Sequence, residues 1–301
     1  LADSSLVFDP VVENIADGEI KTPNGVAISP TMAAMCVDDF ARTVQFLRGV
    51  HETILRCSEK SSGRPVSVLY VGCGPYATLA TPLMSVLTPD QSNFSLVDIN
   101  PKSIASAKSV IESLGFCDHV AKFHVVEATS LDLGPNAPPD ILVIEMLRAL
   151  LKAEPQVAVS RHLIGQVPET ILVPERIEIR LELVNVGREF SLDPAEHQRD
   201  RIAMGNVFTL DQPAIASWKA NSKDSIAAAA IRVPAFDKTR YTPMLFTDIL
   251  VSGDHSLTDY NSGLSIPRPL SVLGEFESGD LIQFEYVLGE MPHLRAKKAI
   301  R

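Results

Sequence analysis

The sequence predicts an α/β fold: a doubly wound, mostly parallel sheet, preceded by a helical segment and followed by a β-rich subdomain. Three observations point to it. Between residues 66 and 173, short apolar runs alternate with stretches of helical period, the pattern of parallel strands covered on both faces. The first run ends in a Gly-x-Gly turn, Gly72-Cys73-Gly74. After Pro174 the apolar period drops to two, as in antiparallel strands.

Residues 1–30 carry Pro10, Pro23, Gly25 and Pro30 and read as an extended lead-in. From Thr31, the residues Val37, Phe40, Val44, Leu47, His51 and Ile54 recur at helical spacing, which predicts one amphipathic helix over 31–57. Ser61-Ser62-Gly63-Arg64-Pro65 is a linker by composition. Val66–Val71 is a buried strand closed by Gly72, Thr78–Leu87 a helix and Phe94–Val97 a second strand. Asn100-Pro101 starts a helix with a capping side chain and a proline in its first turn, and Gly115 stops it. His119–Val126 and Asp140–Ile144 follow as strands, Pro155–Leu163 as a helix and Thr170–Val173 as a fifth strand. Beyond Pro174, Ile177, Ile179, Leu181 and Leu183 alternate with Glu178, Arg180 and Glu182, a strand with one exposed face. Further β segments are expected at Ser225–Val233, Leu245–Val251, Leu270–Phe276 and Leu281–Leu288, with turns at 252–254 and 278–280. The chain thus divides into residues 1–65, 66–173 and 174–301.

The 301 residues are 46% hydrophobic and 21% charged, enough apolar material for a large core without disulfide or metal staples. Cys36, Cys57, Cys73 and Cys117 form no CxxC pair and no Cys/His set spaced for zinc. They read as reduced thiols of a cytoplasmic protein that holds no metal. No apolar run approaches the ~20 residues of a membrane span, and the start lacks the basic and apolar regions of a signal peptide, so no membrane association is expected. A net charge of −10 argues against a nucleic-acid partner, which would call for a basic face. An acidic surface suits a cationic substrate, but it is equally an ordinary solubility device.

The candidate site residues sit at strand ends. Gly72 permits a turn of unusual φ, and Gly74 lets the main chain approach a ligand with no Cβ in the way. The third glycine of a dinucleotide loop is absent, since that position is Ala77. Asp98 ends the second strand, 24 residues after Gly74, where a carboxylate can accept both hydroxyls of a ribose. Glu127-Ala128-Thr129, after the third strand, would line an adenine pocket. Glu145 follows the fourth strand directly, at the edge where ligands bind in open α/β sheets, and Glu154 comes nine positions later. A loop between them can bring the two carboxylates together. Alternatively Glu154, ahead of Pro155, only favours a helix dipole. A carboxylate pair suits a guanidinium, holding its fork and drawing positive charge toward one nitrogen so that the other becomes more nucleophilic.

The runs Val71-Gly72-Cys73-Gly74-Pro75, Val97-Asp98-Ile99-Asn100 and Glu127-Ala128-Thr129 resemble the class I S-adenosylmethionine-dependent methyltransferases over residues 66–173. The resemblance implies S-adenosylmethionine as cofactor, with Gly72, Gly74 and Tyr76 flanking its methionyl end, Asp98 on the ribose, and Glu127, Ala128 and Thr129 around the adenine. The spacing of Glu145 and Glu154 is similar to the two-glutamate loop of the protein arginine methyltransferases. Asp39-Phe40-Ala41-Arg42 resembles that subfamily's Asp-x-x-Arg helix, whose Arg pairs with the cofactor's carboxylate, and helix 31–57 is expected to close over the cofactor. A β-rich region after the fifth strand is also that subfamily's arrangement. The implied activity is N-methylation of a guanidino or amino acceptor on a basic peptide or protein, with Glu145 and Glu154 as catalytic residues. The alternatives are N- or O-methylation of a small metabolite, and a cofactor-binding module without catalysis, against which the glycine loop and both glutamates speak. A homodimer is among the expected assemblies, although the segment after 174 is shorter than the subfamily's barrel with its dimerisation arm. No Thr-His-Trp loop can be placed: Trp218 comes too early, and the substitutes His255 and His293 lie near turns.

Overall fold

The computed structural model describes residues 14–61, 63–134, 138–193, 199–218, 224–270 and 277–299. A short hairpin, β1 (Ile20–Thr22) and β2 (Gly25–Ala27), leads into α1 (Pro30–Met35) and α2 (Phe40–Ser58). The continuous period from Thr31 therefore covers two helices. Asp39 breaks it at φ −77° and ψ 82°, and its side chain accepts the Arg42 amide N–H, so it caps α2 where the apolar spacing runs on uninterrupted.

Five strands form the parallel sheet: β3 (Val66–Val71), β4 (Ser92–Asp98), β5 (Val120–Val125), β6 (Ile141–Ile144) and β7 (Ile171–Val173). Their order is β5-β4-β3-β6-β7, so β3 lies between β4 and β6 and the winding reverses there. The carboxyl ends of β3 and β6 thus open the crevice where such sheets bind ligands. Three helices cross over: α3 (Thr81–Met84), α4 (Pro101–Ser113) and α5 (Gln156–Gln166). Asn100 caps α4 by accepting the Lys102 amide. The helix expected over 78–87 shrinks to α3, because Ala77 at φ +45° holds the preceding residues in turns and Pro82 enters at the helix start.

The rest is antiparallel: β8 (Arg176–Val184), β9 (Arg201–Asp211), β10 (Ser225–Arg232), β11 (Thr242–Ser252), β12 (His255–Leu257), β13 (Arg268–Pro269), β14 (Leu281–Val287) and β15 (His293–Lys298), with short helices α6 (Val186–Glu189) and α7 (Gln212–Ser217). One sheet runs β12-β11-β8-β9, with β13 on β11; the other runs β10-β14-β15. β9 escapes the period-two reading because its register against β8 shifts twice, each shift displacing the inward face. Of the segment expected over Leu270–Phe276, residues 271–276 lie outside the described residues.

One apolar cluster joins the two halves. Ile177, Ile179 and Leu181 of β8 and Ile249 and Val251 of β11 pack with Phe46, Val50 and Ile54 of α2 and with the parallel sheet. At Gly49 a Cβ would lie 2.6 Å from Val251 Cγ1, so α2 can approach β11 this closely only with glycine there. The polar face of β8 is exposed at Arg176 and partly so at Glu178 and Arg180, as expected of a half-exposed strand, and from Arg180 on it is overlaid by ion pairs. Arg180 and Arg201 each stand 4.5 Å from the ring centroid of Phe246; Arg180 pairs with Glu182, Asp248 and Asp259, and Arg201 with Glu182, Glu189 and Asp259. Among the described residues, no helix is long and apolar enough to cross a membrane.

Candidate active site

The turn after β3 is shaped by what crosses it. Gly72 has φ +79°, and a Cβ there would lie 2.6 Å from Met146 Cγ and 2.8 Å from the Glu145 carbonyl. The chain leaving β6 therefore excludes any side chain at 72. Gly72→Ala is expected to cost about 1–3 kcal/mol of stability through its left-handed backbone and this overlap, read as a lower urea midpoint. Gly74, at φ +64°, is different. Among the described residues a Cβ there would meet only Ala33 of α1, at 3.6 Å, so the space beside it is open.

Asp98 ends β4 beside that turn. Its Oδ2 accepts the Gly74 N–H at 3.0 Å and its Oδ1 the Asn100 N–H at 2.8 Å. Burial pushes its carboxyl above the ordinary value, and these N–H donors work against the rise. Gly72, Gly74, Asp98, Glu127 and Ala128 line one cavity together with Arg42, Glu145 and Glu154. Two candidates do not reach it. Tyr76 is buried off the wall, where Thr78 and Leu79 stand instead. Thr129 faces a neighbouring cleft, its hydroxyl donating to Glu127 at 2.6 Å and accepting from Asn24 Nδ2 at 2.9 Å. It therefore bears on the cavity through Glu127.

Glu145 continues from β6, its N–H donating to the Val71 carbonyl at 3.1 Å. Arg42 reaches across from α2: Nε donates to Glu145 Oε1 at 2.7 Å and Nη2 to the same oxygen. Burial disfavours the Arg42 charge, but Glu145, through its charge and its hydrogen bond, together with Cys36 and Glu154 outweighs this, and the guanidinium is held above its ordinary pKa. Glu154 is 7% exposed and forms an ion pair with Arg148, whose Nε stands 3.6 Å from Oε1. Burial pushes its carboxyl up to about 7; Glu145 adds to the rise, while Arg42 and Arg148 oppose it. α5 begins only at Gln156, with Pro155 at the cap position, so Glu154 lies outside the helix's first turn.

The loop between the glutamates is strained and held. Leu150, Leu151 and Ala153 have φ of 62°, 55° and 69°, a left-handed region that costs a branched or bulky residue about 1–2 kcal/mol. The β-rich region fixes it: Thr247 Oγ1 accepts the Leu150 N–H at 3.1 Å, Tyr286 donates to the Leu151 carbonyl at 2.6 Å, and the Pro292 carbonyl accepts the Ala153 N–H at 2.7 Å. Gln156 closes the neck, accepting the Met146 N–H and donating to the Ile144 carbonyl, both at 3.0 Å.

Sequence reasoning missed Ala33, Cys36 and Met146, which also line the cavity. No motif marks them; the expected closure of the N-terminal helix points toward Ala33 and Cys36, and Met146 directly follows Glu145. The two histidines considered as substitutes, and Trp218, lie elsewhere. His255 Nε2 stands 3.1 Å from Glu52 Oε2, His293 Nδ1 2.9 Å from the Met291 carbonyl, and Trp218 stacks on Phe208. Among the described residues, no group of three or more His, Cys, Asp and Glu is placed to hold a metal ion.

No protein-family model matches the sequence, and no curated protein does. Among solved structures, the Trypanosoma brucei PRMT1 enzyme-prozyme heterotetrameric complex with AdoHcy is similar, with a TM-score of 0.54 at 13% identity. The match covers 89% of this chain and 98% of that one. At that identity the likeness is one of fold: the doubly wound parallel sheet followed by antiparallel β-sheets is an arrangement this chain shares with a PRMT1 chain.

Proposed function

We propose that the chain is an S-adenosylmethionine-dependent methyltransferase that N-methylates a guanidino or amino acceptor. One observation carries the reading: Glu145, Glu154 and Arg42 share the wall of a switch-point cavity with Gly74 and Asp98. The fold likeness to a PRMT1 complex with AdoHcy supports it.

The residues present fit the cofactor. Gly74 leaves room where a Cβ would stand, and Asp98 retains acceptor capacity on both oxygens beyond the two N–H bonds it holds. Arg42 would hold the cofactor's carboxylate, Asp98 the ribose, and Glu127 and Ala128 the adenine. When bound, S-adenosylmethionine supplies a methyl group already activated on a sulfonium. The chain's own residues then have to align the acceptor, hold its charge and exclude water. Glu145 and Glu154 are the carboxylates that would grip a guanidinium or ammonium, and Glu154, titrating near 7, is suited to take the proton that the acceptor nitrogen releases.

Labelled S-adenosylmethionine offered with basic peptides and a panel of small amines and alcohols tests the reading. Label is expected on a guanidino or amino nitrogen, and transfer confined to hydroxyls would overturn it. Gly74→Val is expected to abolish cofactor binding in calorimetric titration while circular dichroism still shows a folded protein, with a lower urea midpoint because the backbone is left-handed there; retained affinity would move the site elsewhere. A second reading, N- or O-methylation of a small metabolite, is favoured by one feature. With Glu145 paired to Arg42, Glu154 is the less committed carboxyl, which suits a single amine or hydroxyl better than a planar fork.

A further inference from the structure

Arg42 lies in the first turn of α2, so its reach into the cavity depends on where and how that helix begins. Asp39 sets both. Its Oδ1 accepts the backbone N–H of Arg42 itself at 3.1 Å, while Oδ2 accepts the Ser262 hydroxyl at 2.6 Å and the Gly263 N–H at 2.9 Å. One carboxylate thus ties the first turn of α2 to a loop far along the chain, residues 258–265.

That loop is built to hold still. The Ser262 hydroxyl accepts the Leu264 N–H at 3.1 Å, Ser265 Oγ accepts the Ser262 N–H at 3.1 Å, and Asn261 Oδ1 accepts the Thr258 N–H at 3.1 Å. Ser262 and Ser265 are buried, and Tyr260 is held at φ +62°. Asp259 anchors the loop to the sheet, bonding Arg180 Nη2 and, at 2.5 Å, Arg201 Nη1. These are the two guanidiniums that flank Phe246. Burying such a network is poor value for stability alone. As the foundation of the loop that receives Asp39, it acquires a purpose.

The body of α2 does not need this contact to dock. Gly49 already lies against Val251, the Thr53 and Ser252 hydroxyls are 2.8 Å apart, and Arg56 Nη2 donates to Ser252 at 2.6 Å. What the Asp39 contact governs is the first turn, where Arg42 and Thr43 line the cavity. We propose that Asp39, held by Ser262 and Gly263, is a positioning residue that aims Arg42, and that loop 258–265 thereby sets cofactor affinity from outside the cavity. The inference rests on Arg42 being the partner of the cofactor's carboxylate.

The test is a set of variants titrated with S-adenosylhomocysteine, with turnover and melting temperature measured alongside. Ser262→Ala is expected to weaken binding about fivefold, the scale of one hydrogen bond, and to lower kcat with melting near wild type. Ser262→Thr, which keeps the hydroxyl, is expected to restore both. In an Arg42→Ala background, Ser262→Ala is expected to change affinity no further. Asp39→Asn, which keeps a capping oxygen but sets an amide against two donors, serves as the second variant and is expected to follow the same pattern. Equal fold losses with and without Arg42, or wild-type affinity in both Ser262→Ala and Asp39→Asn, would overturn the positioning role. Wild-type affinity in Arg42→Ala alone would instead remove the reading of Arg42 on which the inference stands.

Discussion

At pH 8 the Glu154→Gln variant is expected to be more stable than the wild type and almost inactive. Burial, with the Glu145 charge adding to it, raises the Glu154 carboxyl to about 7 from an ordinary 4.5. The folded state therefore binds this proton more tightly than the unfolded state does. Below pH 4.5 both states hold the proton and the group carries no penalty. As pH rises from 4.5 to 7 the unfolded chain ionises first, and the stability attached to the proton is lost, up to about 3 kcal/mol once the folded carboxyl has ionised as well. A neutral amide of the same shape removes that penalty, so urea unfolding should find the two proteins alike near pH 4 and the variant ahead at pH 8. Turnover should fall roughly 10²–10⁴-fold, the range for loss of a positioned acid–base group. Glu145→Gln is expected to lose turnover too, with the opposite effect on stability: it strips the buried Arg42 of its main partner, which costs on the order of 3 kcal/mol. The two losses of turnover should not add, because half a clamp cannot orient a guanidinium. Full activity in Glu154→Gln, or no stability gain at pH 8, would refute this account of the site.

What the sequence made legible and what it hid divide along the range of the interactions involved. β3, β4, β6 and β7 and helix α4 are readable because their signals are local: an apolar run closed by glycine, an asparagine cap followed by proline. The start of α2 is hidden because a cap interrupts the backbone without interrupting the apolar spacing, so Thr31–Ile54 reads as one helix although Asp39 divides it. β9 is hidden because two register shifts destroy its alternation. At the site, the strand-end rule leads to Asp98 and Glu145 without any distant contact. The left-handed residues Leu150, Leu151 and Ala153 leave no trace in composition, and neither does the pairing of Arg42 with Glu145, 103 positions apart. Tyr76 and Thr129 fail to reach the cavity for a related reason. Adjacency to a motif places a residue near a site, but the turn at Ala77 and the Asn24 contact decide which way each side chain faces.

Asp98→Ala is expected to weaken S-adenosylmethionine by about 1.5–3 kcal/mol, the scale of hydrogen bonds to a charged group, or roughly 10- to 150-fold in affinity. Two consequences of the change have to be separated. The carboxylate is the acceptor proposed for the ribose, and it also holds the Gly74 and Asn100 N–H groups, so its loss frees the glycine turn as well. α4 itself should survive, because its cap is the Asn100 side chain on the Lys102 amide. A cofactor analogue lacking one ribose hydroxyl distinguishes the two effects. If Asp98 binds the ribose, the wild type should prefer the parent cofactor over the deoxy analogue, and Asp98→Ala should bind both alike. If Asp98 only shapes the turn, the variant should weaken both ligands by the same factor and keep the preference. Calorimetric titration of the four pairs decides it, and wild-type affinity for S-adenosylmethionine in Asp98→Ala would remove the residue from the site altogether.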